Sequence, residues 1–229
     1  EETRQNYQAI ADRQWQVVKE EYFTATGRCA VKTQTGLVLA LKYHLSDNER
    51  LTEQMLRKLL RDNKNKLNTG FVGTPLLCNV LTEHGMTDLA YRLLLNEEYP
   101  GWLHEVKLGA TTVWERWNSL DENGRISSTG MNSLNHYSYG AVLEWIFRHV
   151  AGIDVTEQGP GGKMMRISPK VDHKLGSASA VYDSASGCYR CGWQIENGDQ
   201  ITVTITVPFG AKAQVILPYA PDSVYHDTD

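Results

Sequence analysis

The chain has 229 residues, 41% of them hydrophobic and 22% charged, with a formal net charge of -4. That balance excludes a disordered polyelectrolyte and a basic nucleic-acid-binding surface. No apolar run approaches the roughly 20 residues needed to cross a bilayer, and the length suits one large domain or two small ones.

The opening Glu1-Glu2-Thr3-Arg4 lacks the basic start and apolar stretch of a signal peptide. It also lacks an initiator Met, so a processed product or a piece of a longer chain is expected. Apolar residues then recur at helical spacing. Tyr7, Ile10, Trp15, Val18 and Tyr22 form one stripe, and Leu37, Leu41 and Leu45 a second. Leu51, Met55 and Leu59, flanked by Leu56 and Leu60, form a third. Ser46 with Glu49 reads as a capping box, and Thr74-Pro75 as a cap before a proline at the first helical position. Gly85 reads as a stop, and Thr87-Asp88 reopens a helix carrying Leu89, Leu93 and Leu94. Five helices are predicted up to residue 96 and a sixth from about His136 to Val150. The short loops between them predict antiparallel helical hairpins.

The hydrophobic period changes near residue 152. Gly159-Pro160-Gly161-Gly162 reads as a turn-rich linker. Ile201, Val203, Ile205 and Val207 alternate with threonines, a period of two. Ser177 to Tyr182, Tyr189 to Ile195 and Val215 to Leu217 are further candidate strands. The predicted fold class is therefore α plus β in separate domains: helical hairpins over 1–152, then a small antiparallel β-sandwich over 153–229. Trp193 shares a strand face with Cys191 and Ile195, and is expected to be a core residue and not a sugar platform.

Between the helices, residues 99–136 are long, polar and poorly periodic, yet hold three of the six tryptophans. Long loops of this kind are usually functional. In Trp114-Glu115-Arg116-Trp117 a carboxylate lies between two indoles. Indole faces suit sugar rings, and a carboxylate among them suits proton abstraction. The alternative is a packed turn, with Trp114 and Trp117 in the core and Glu115 paired to a cation. His136 is a candidate donor to a ligand hydroxyl, or a capping histidine. Asn132 and Asn135 are candidate caps first and ligand contacts second.

Other chemistries fail on the residues. His104-Glu105 meets Leu108 where a metal-binding H-E-x-x-H needs histidine. Gly159 to Lys163 is followed by Met164 where a phosphate loop needs Ser or Thr. There is no G-x-S-x-G nucleophile elbow. Cys188 and Cys191 form one C-x-x-C pair without a second, on a strand where positions three apart point to opposite faces, so structural cysteines are expected. The cation-rich stretch from Lys58 to Lys66 reads as a solvated helix end.

Three strings, in order and spacing, resemble signatures of the bacterial α-L-rhamnosidases of glycoside hydrolase family 78. They are Thr69-Gly70-Phe71-Val72-Gly73-Thr74-Pro75-Leu76-Leu77, Gly109-Ala110-Thr111-Thr112-Val113-Trp114-Glu115-Arg116-Trp117 and Ser133-Leu134-Asn135-His136-Tyr137-Ser138-Tyr139-Gly140. The resemblance spans essentially the whole chain. It implies the C-terminal half of an (α/α)6 catalytic barrel, incomplete in this chain, followed by the family's β-sandwich. It implies inverting hydrolysis of terminal α-L-rhamnosides, with rhamnose-containing glycosides as partners and no cofactor or metal. In such a reaction one carboxylic acid protonates the leaving oxygen, and a carboxylate about 6.5–9.5 Å away activates water. By resemblance Glu115 is the general base, His136 contacts the sugar, and Trp114, Trp117 and Asn135 belong to the substrate site.

The family's general acid lies in an acidic motif containing Arg and Trp, and no such motif occurs before Glu115. The chain alone is accordingly expected to be inactive, and a missing N-terminal portion or a dimer is expected to cover the bare helix faces. A soluble bacterial protein, cytoplasmic or periplasmic, is expected. The competing expectations are a non-catalytic carbohydrate-binding fragment and another (α/α)6 sugar enzyme, such as an unsaturated glucuronyl hydrolase.

Overall fold

A computed structural model of the chain describes residues 2–127, 130–156, 159–198 and 200–219; residues 220–229 of the expected second domain lie outside them. The chain forms two compact units, Glu1–Ala141 and Val142–Asp229.

The first unit is helical: α1 (Glu2–Tyr22), α2 (Gln34–Lys42), α3 (Glu49–Asp62), α4 (Thr74–Glu83), α5 (Thr87–Leu94) and α6 (Trp102–Lys107), closed by a 3-10 turn at Ser138–Ala141. The five helices expected up to residue 96 are all present. α6 was not expected, because six residues are too few to display a periodic stripe. α2 packs on α3 and α4, and α4 on α5 and the 3-10 turn. Leu37, Leu41, Leu77, Leu81 and Leu93 bury their side chains in this core.

The buried stripe of α3 is Thr52, Leu56 and Leu60. The expected Leu51, Met55 and Leu59 lie one residue around the helix and are only half-buried. α1 has no buried residue at all, and Tyr7, Ile10, Trp15 and Tyr22 are exposed. Its attachments are polar: the Trp15 indole N–H donates to the His44 carbonyl at 3.2 Å, and Lys19 pairs with Asp47.

Two caps differ from expectation. Asn48, and not Ser46, caps α3, its Oδ1 accepting from the Leu51 N–H at 3.1 Å. The Ser46 hydroxyl is already committed, donating to the Gly27 carbonyl and accepting from the Asn48 N–H. α4 starts at Thr74, which puts Pro75 at its second position behind a Gly73 cap. The Thr74 hydroxyl instead bonds that of Thr69 at 2.8 Å.

The second unit opens with α7 (Val142–Trp145), which continues as a π-helical turn at Ile146–Val150. The single helix expected from His136 to Val150 is thus delivered as 3-10, α and π pieces, beginning at Ser138. The carbonyls at its end are taken by tertiary donors: Lys170 N–H on His149 and the Trp193 indole N–H on Val150. The wider π turn, closed by Ala151 N–H on the Ile146 carbonyl, accommodates them.

Six strands follow among the described residues: β1 (Ile153–Val155), β2 (Met164–Ile167), β3 (Ser177–Ser184), β4 (Gly187–Glu196), β5 (Gln200–Thr206) and β6 (Lys212–Val215). They form two three-stranded sheets, β1-β2-β6 and β3-β4-β5. All pairings are antiparallel except β2 with β6. Ile153, Met165, Ile167, Tyr189 and Cys191 make the core. Trp193 is 2% exposed, which places it in the interior as expected.

Gly159–Gly162 is not a linker but the structured link from β1 to β2. Gly162 has a φ of +79°, and a Cβ there would lie 2.4 Å from Ser184. Its carbonyl receives the Tyr189 hydroxyl at 2.7 Å. Asp154, buried on β1, is held by Arg148 at 2.8 Å and by Arg166 at 2.6 Å. The four cysteines are free thiols, and burial pushes Cys191 up to about 11 and Cys78 up to about 12, so both stay protonated at neutral pH.

Candidate active site

The site is built on Gly109–Trp117, which leaves the end of α6. Gly109, at a φ of +86°, takes the left-handed turn that ends the helix. Thr111, Thr112 and Val113 are β-branched and disfavour continuing the helix; the backbone bends at Thr111 and Thr112. Two backbone bonds then tie this segment to the Ser133–His136 loop. The Val113 carbonyl accepts from the His136 N–H at 2.8 Å, and the Glu115 N–H donates to the Ser133 carbonyl at 2.9 Å.

Glu115 is half-buried, and its Oε2 accepts from the Ser133 N–H at 2.7 Å. The Ser133 loop is itself braced. The Asn132 side chain exchanges two hydrogen bonds with Ser119, accepting from its hydroxyl at 2.6 Å and donating to its carbonyl at 2.9 Å. Asn132 is therefore a brace for the loop. Asn135 is exposed beside it, its N–H donating to the Ser133 hydroxyl.

His136 lies two residues before the 3-10 turn, not at a helix start. Its Nδ1 accepts from the Ser138 N–H at 3.3 Å, which in the neutral ring assigns the proton to Nε2. The imidazole stacks on Phe71 at 4.9 Å and on Tyr137 at 5.2 Å. Its donor nitrogen is thus aimed by rings on its faces and a backbone amide at its edge.

Trp114 and Trp117 are 2% and 8% exposed. Trp117 stacks on Tyr139 at 4.0 Å, meets Trp102 edge-on and donates its indole N–H to the Thr69 carbonyl at 3.2 Å. The Trp102 indole N–H donates to the Tyr139 carbonyl at 2.9 Å. Thr69, Phe71, Val113, Glu115, Trp117, Ser133, His136 and Tyr139 are therefore joined, so the three strings singled out in the sequence converge on one place.

Two members were not anticipated. Phe71 stands in its string without an assigned role, although an aromatic beside glycine is a usable signal. Glu105 appeared only in a failed metal motif. It is 3% exposed, and its Oε1 is buried with no hydrogen-bond partner. Burial pushes this carboxyl up to about 7, against the opposing Trp114 N–H bond. Burial also raises the Tyr139 hydroxyl, and the Glu105 charge adds to it.

Two family models divide the chain between them. The bacterial alpha-L-rhamnosidase 6 hairpin glycosidase domain matches residues 1–150, and the bacterial alpha-L-rhamnosidase C-terminal domain matches residues 152–228. The chain belongs to the bacterial α-L-rhamnosidase family. An α-L-rhamnosidase of Alteromonas sp. (strain LOR) is 41% identical over 82% of this chain. The Streptomyces avermitilis α-L-rhamnosidase, solved with L-rhamnose, superposes with a TM-score of 0.85 at 34% identity over 92% of this chain. That of Aspergillus terreus superposes with a TM-score of 0.88 at 31% identity over 93% of this chain. The match takes up 20% of the Alteromonas and Streptomyces rhamnosidases and 25% of the Aspergillus one, so the chain spans about a fifth to a quarter of their length.

Proposed function

We propose that this chain is the C-terminal portion of an α-L-rhamnosidase that hydrolyses terminal α-L-rhamnosides with inversion, Glu115 being the general base. The observation that carries this reading is the clamp on Glu115. With Oε2 pinned by the Ser133 N–H, Oε1 is the oxygen that would hold the attacking water. His136, fixed through Val113 to the same segment, would offer Nε2–H to a hydroxyl of the sugar. Asn135, exposed on the adjoining loop, is a further sugar contact in this reading. Trp114 and Trp117 would wall the pocket from behind, setting its shape through packing. The acid that protonates the leaving oxygen would come from the part of the enzyme outside this chain. The domain division in this reading is the C-terminal half of the barrel over 1–152 and the β-sandwich over 153–229. The bare face of α1 would pack against the preceding barrel helices, or against a second copy.

The test is Glu115→Gln in the complete enzyme, assayed on an aryl α-L-rhamnoside. A general base typically contributes 10²- to 10⁴-fold, so kcat is expected to fall by about that factor with KM little changed. Azide is expected to restore part of the turnover of Glu115→Ala, because a small anion replaces the activated water. A near-wild-type kcat for Glu115→Gln would remove Glu115 from the mechanism. The 229-residue chain assayed alone is expected to show no turnover.

A further inference from the structure

We propose that Tyr137 is the platform for the leaving group, its open ring face taking the flat aromatic aglycone of the rhamnoside. The proposal rests on the rhamnosidase reading of this site.

A series of rings leads outwards from the core to Tyr137. Trp117 stacks on Tyr139 at 4.0 Å, and Tyr139 meets Phe71 edge-on at 5.6 Å. Phe71 stacks on His136 at 4.9 Å, and His136 on Tyr137 at 5.2 Å. Exposure rises along the series: Trp117 and Tyr139 are buried, Phe71 is 45% exposed and Tyr137 is 84% exposed. The series therefore starts in the core and ends in solvent. Phe71, His136 and Tyr137 are nearly parallel, with interplanar angles of 8° and 12°. One face of Tyr137 is turned to the imidazole, and the other is bare among the described residues. A stack that ends on a bare face has room for one more flat ring, and aromatic pairs stabilise beyond the area they bury.

The backbone beneath this ring is fixed. The Tyr137 carbonyl accepts the Gly140 N–H at 2.9 Å at the start of the 3-10 turn, and the next two residues, Ser138 and Tyr139, are buried. On the other side, the His136 N–H is tied to the Val113 carbonyl. An exposed ring held on such a backbone keeps its place, as a binding platform must.

The direction of the reaction agrees with this position. Inversion puts the attacking water and the leaving group on opposite faces of the sugar. Glu115, which would hold the water, stands in the chain between Trp114 and Trp117, at the buried start of the series. The leaving group then lies towards the open end, where Tyr137 adjoins the His136 donor.

The test compares two substrates in the complete enzyme. para-Nitrophenyl α-L-rhamnoside carries an aromatic aglycone, and α-L-rhamnosyl fluoride carries none. Removing the Tyr137 ring also takes a neighbour from His136, but that loss acts on the rhamnosyl group common to both substrates and cancels in the ratio of their kcat/KM values. In Tyr137→Ala the ratio of aryl rhamnoside to fluoride is expected to fall roughly 3- to 10-fold, the worth of one aromatic stack. Tyr137→Phe keeps the ring and is expected to restore the ratio. A ratio in Tyr137→Ala within about twofold of the wild type would overturn the proposal, because the ring would then serve both substrates alike. An equal fall in Tyr137→Phe would overturn it too, since the hydroxyl and not the ring face would be the contact. A complete enzyme that cleaved neither substrate would overturn the rhamnosidase reading and the proposal together. Full activity in Glu115→Gln would remove the base without moving this ratio, so the two failures are told apart.

Discussion

Glu115 and Ser133 hold each other through three backbone groups and one side chain: the Glu115 N–H donates to the Ser133 carbonyl at 2.9 Å, and the Ser133 N–H donates to Glu115 Oε2 at 2.7 Å. A carboxylate tied to its own pairing partner loses rotamer freedom before substrate arrives. Such preorganisation is what a base needs in order to present one oxygen at a constant position. The same pairing runs on to His136 through Val113, so the candidate base and the candidate sugar donor move together.

From that coupling, His136→Ala in the complete enzyme is expected to raise KM for an aryl α-L-rhamnoside roughly tenfold, about the worth of one hydrogen bond to a neutral group. Phe71→Ala, which removes a ring stacked on the imidazole, is expected to reproduce part of the effect. Steady-state kinetics on both variants check it, and an unchanged KM in His136→Ala would remove the histidine from the sugar site.

Glu105 also sets a pH dependence of stability. An ordinary glutamate titrates near 4.5, whereas burial holds this one at about 7 in the folded chain. Between those values the folded state keeps a proton that the unfolded state has released. Its contribution is therefore full below about pH 4.5, declines as pH rises, and is gone above about pH 7. The loss amounts to at most roughly 3 kcal/mol. Urea unfolding at pH 5 and pH 7.5 is expected to show that decline in the wild type and a smaller one in Glu105→Gln.

The rotated stripe of α3 gives a packing test. Leu56 and Leu60 are fully buried, so truncating either to Ala is expected to cost about 2–5 kcal/mol. Met55→Ala, on the half-buried edge, is expected to cost less than about 1 kcal/mol. Urea midpoints of the variants measure the contrast, and equal losses would return Met55 to the core.

In the second unit, Trp193→Phe removes the indole N–H from the buried Val150 carbonyl and shrinks the ring. An orphaned carbonyl costs about 1–3 kcal/mol, and the void adds to it, so a loss of roughly 2–4 kcal/mol is expected. Differential unfolding by urea, followed by tryptophan fluorescence, reads it.

The change of hydrophobic period from helical spacing to two was legible in the sequence, and with it the order of helices and strands, because periodicity is a local property of the chain. The interior place of Trp193 followed from strand alternation in the same way. The strings around Phe71, Glu115 and His136 were legible as strings. What the sequence could not show is how their contacts are distributed. Asn48 displaced Ser46 as the cap of α3 because the Ser46 hydroxyl was engaged by Gly27, nineteen residues away. The α3 stripe shifted by one residue because the faces of α2 chose Leu56 and Leu60 over Met55 and Leu59. The parallel pairing of β2 with β6 depends on strands more than forty residues apart, and no local pattern reports it. Glu105 is the sharpest case. In the sequence it is one acidic residue on a six-residue helix, and only the tertiary structure, by burying it, raises its affinity for a proton.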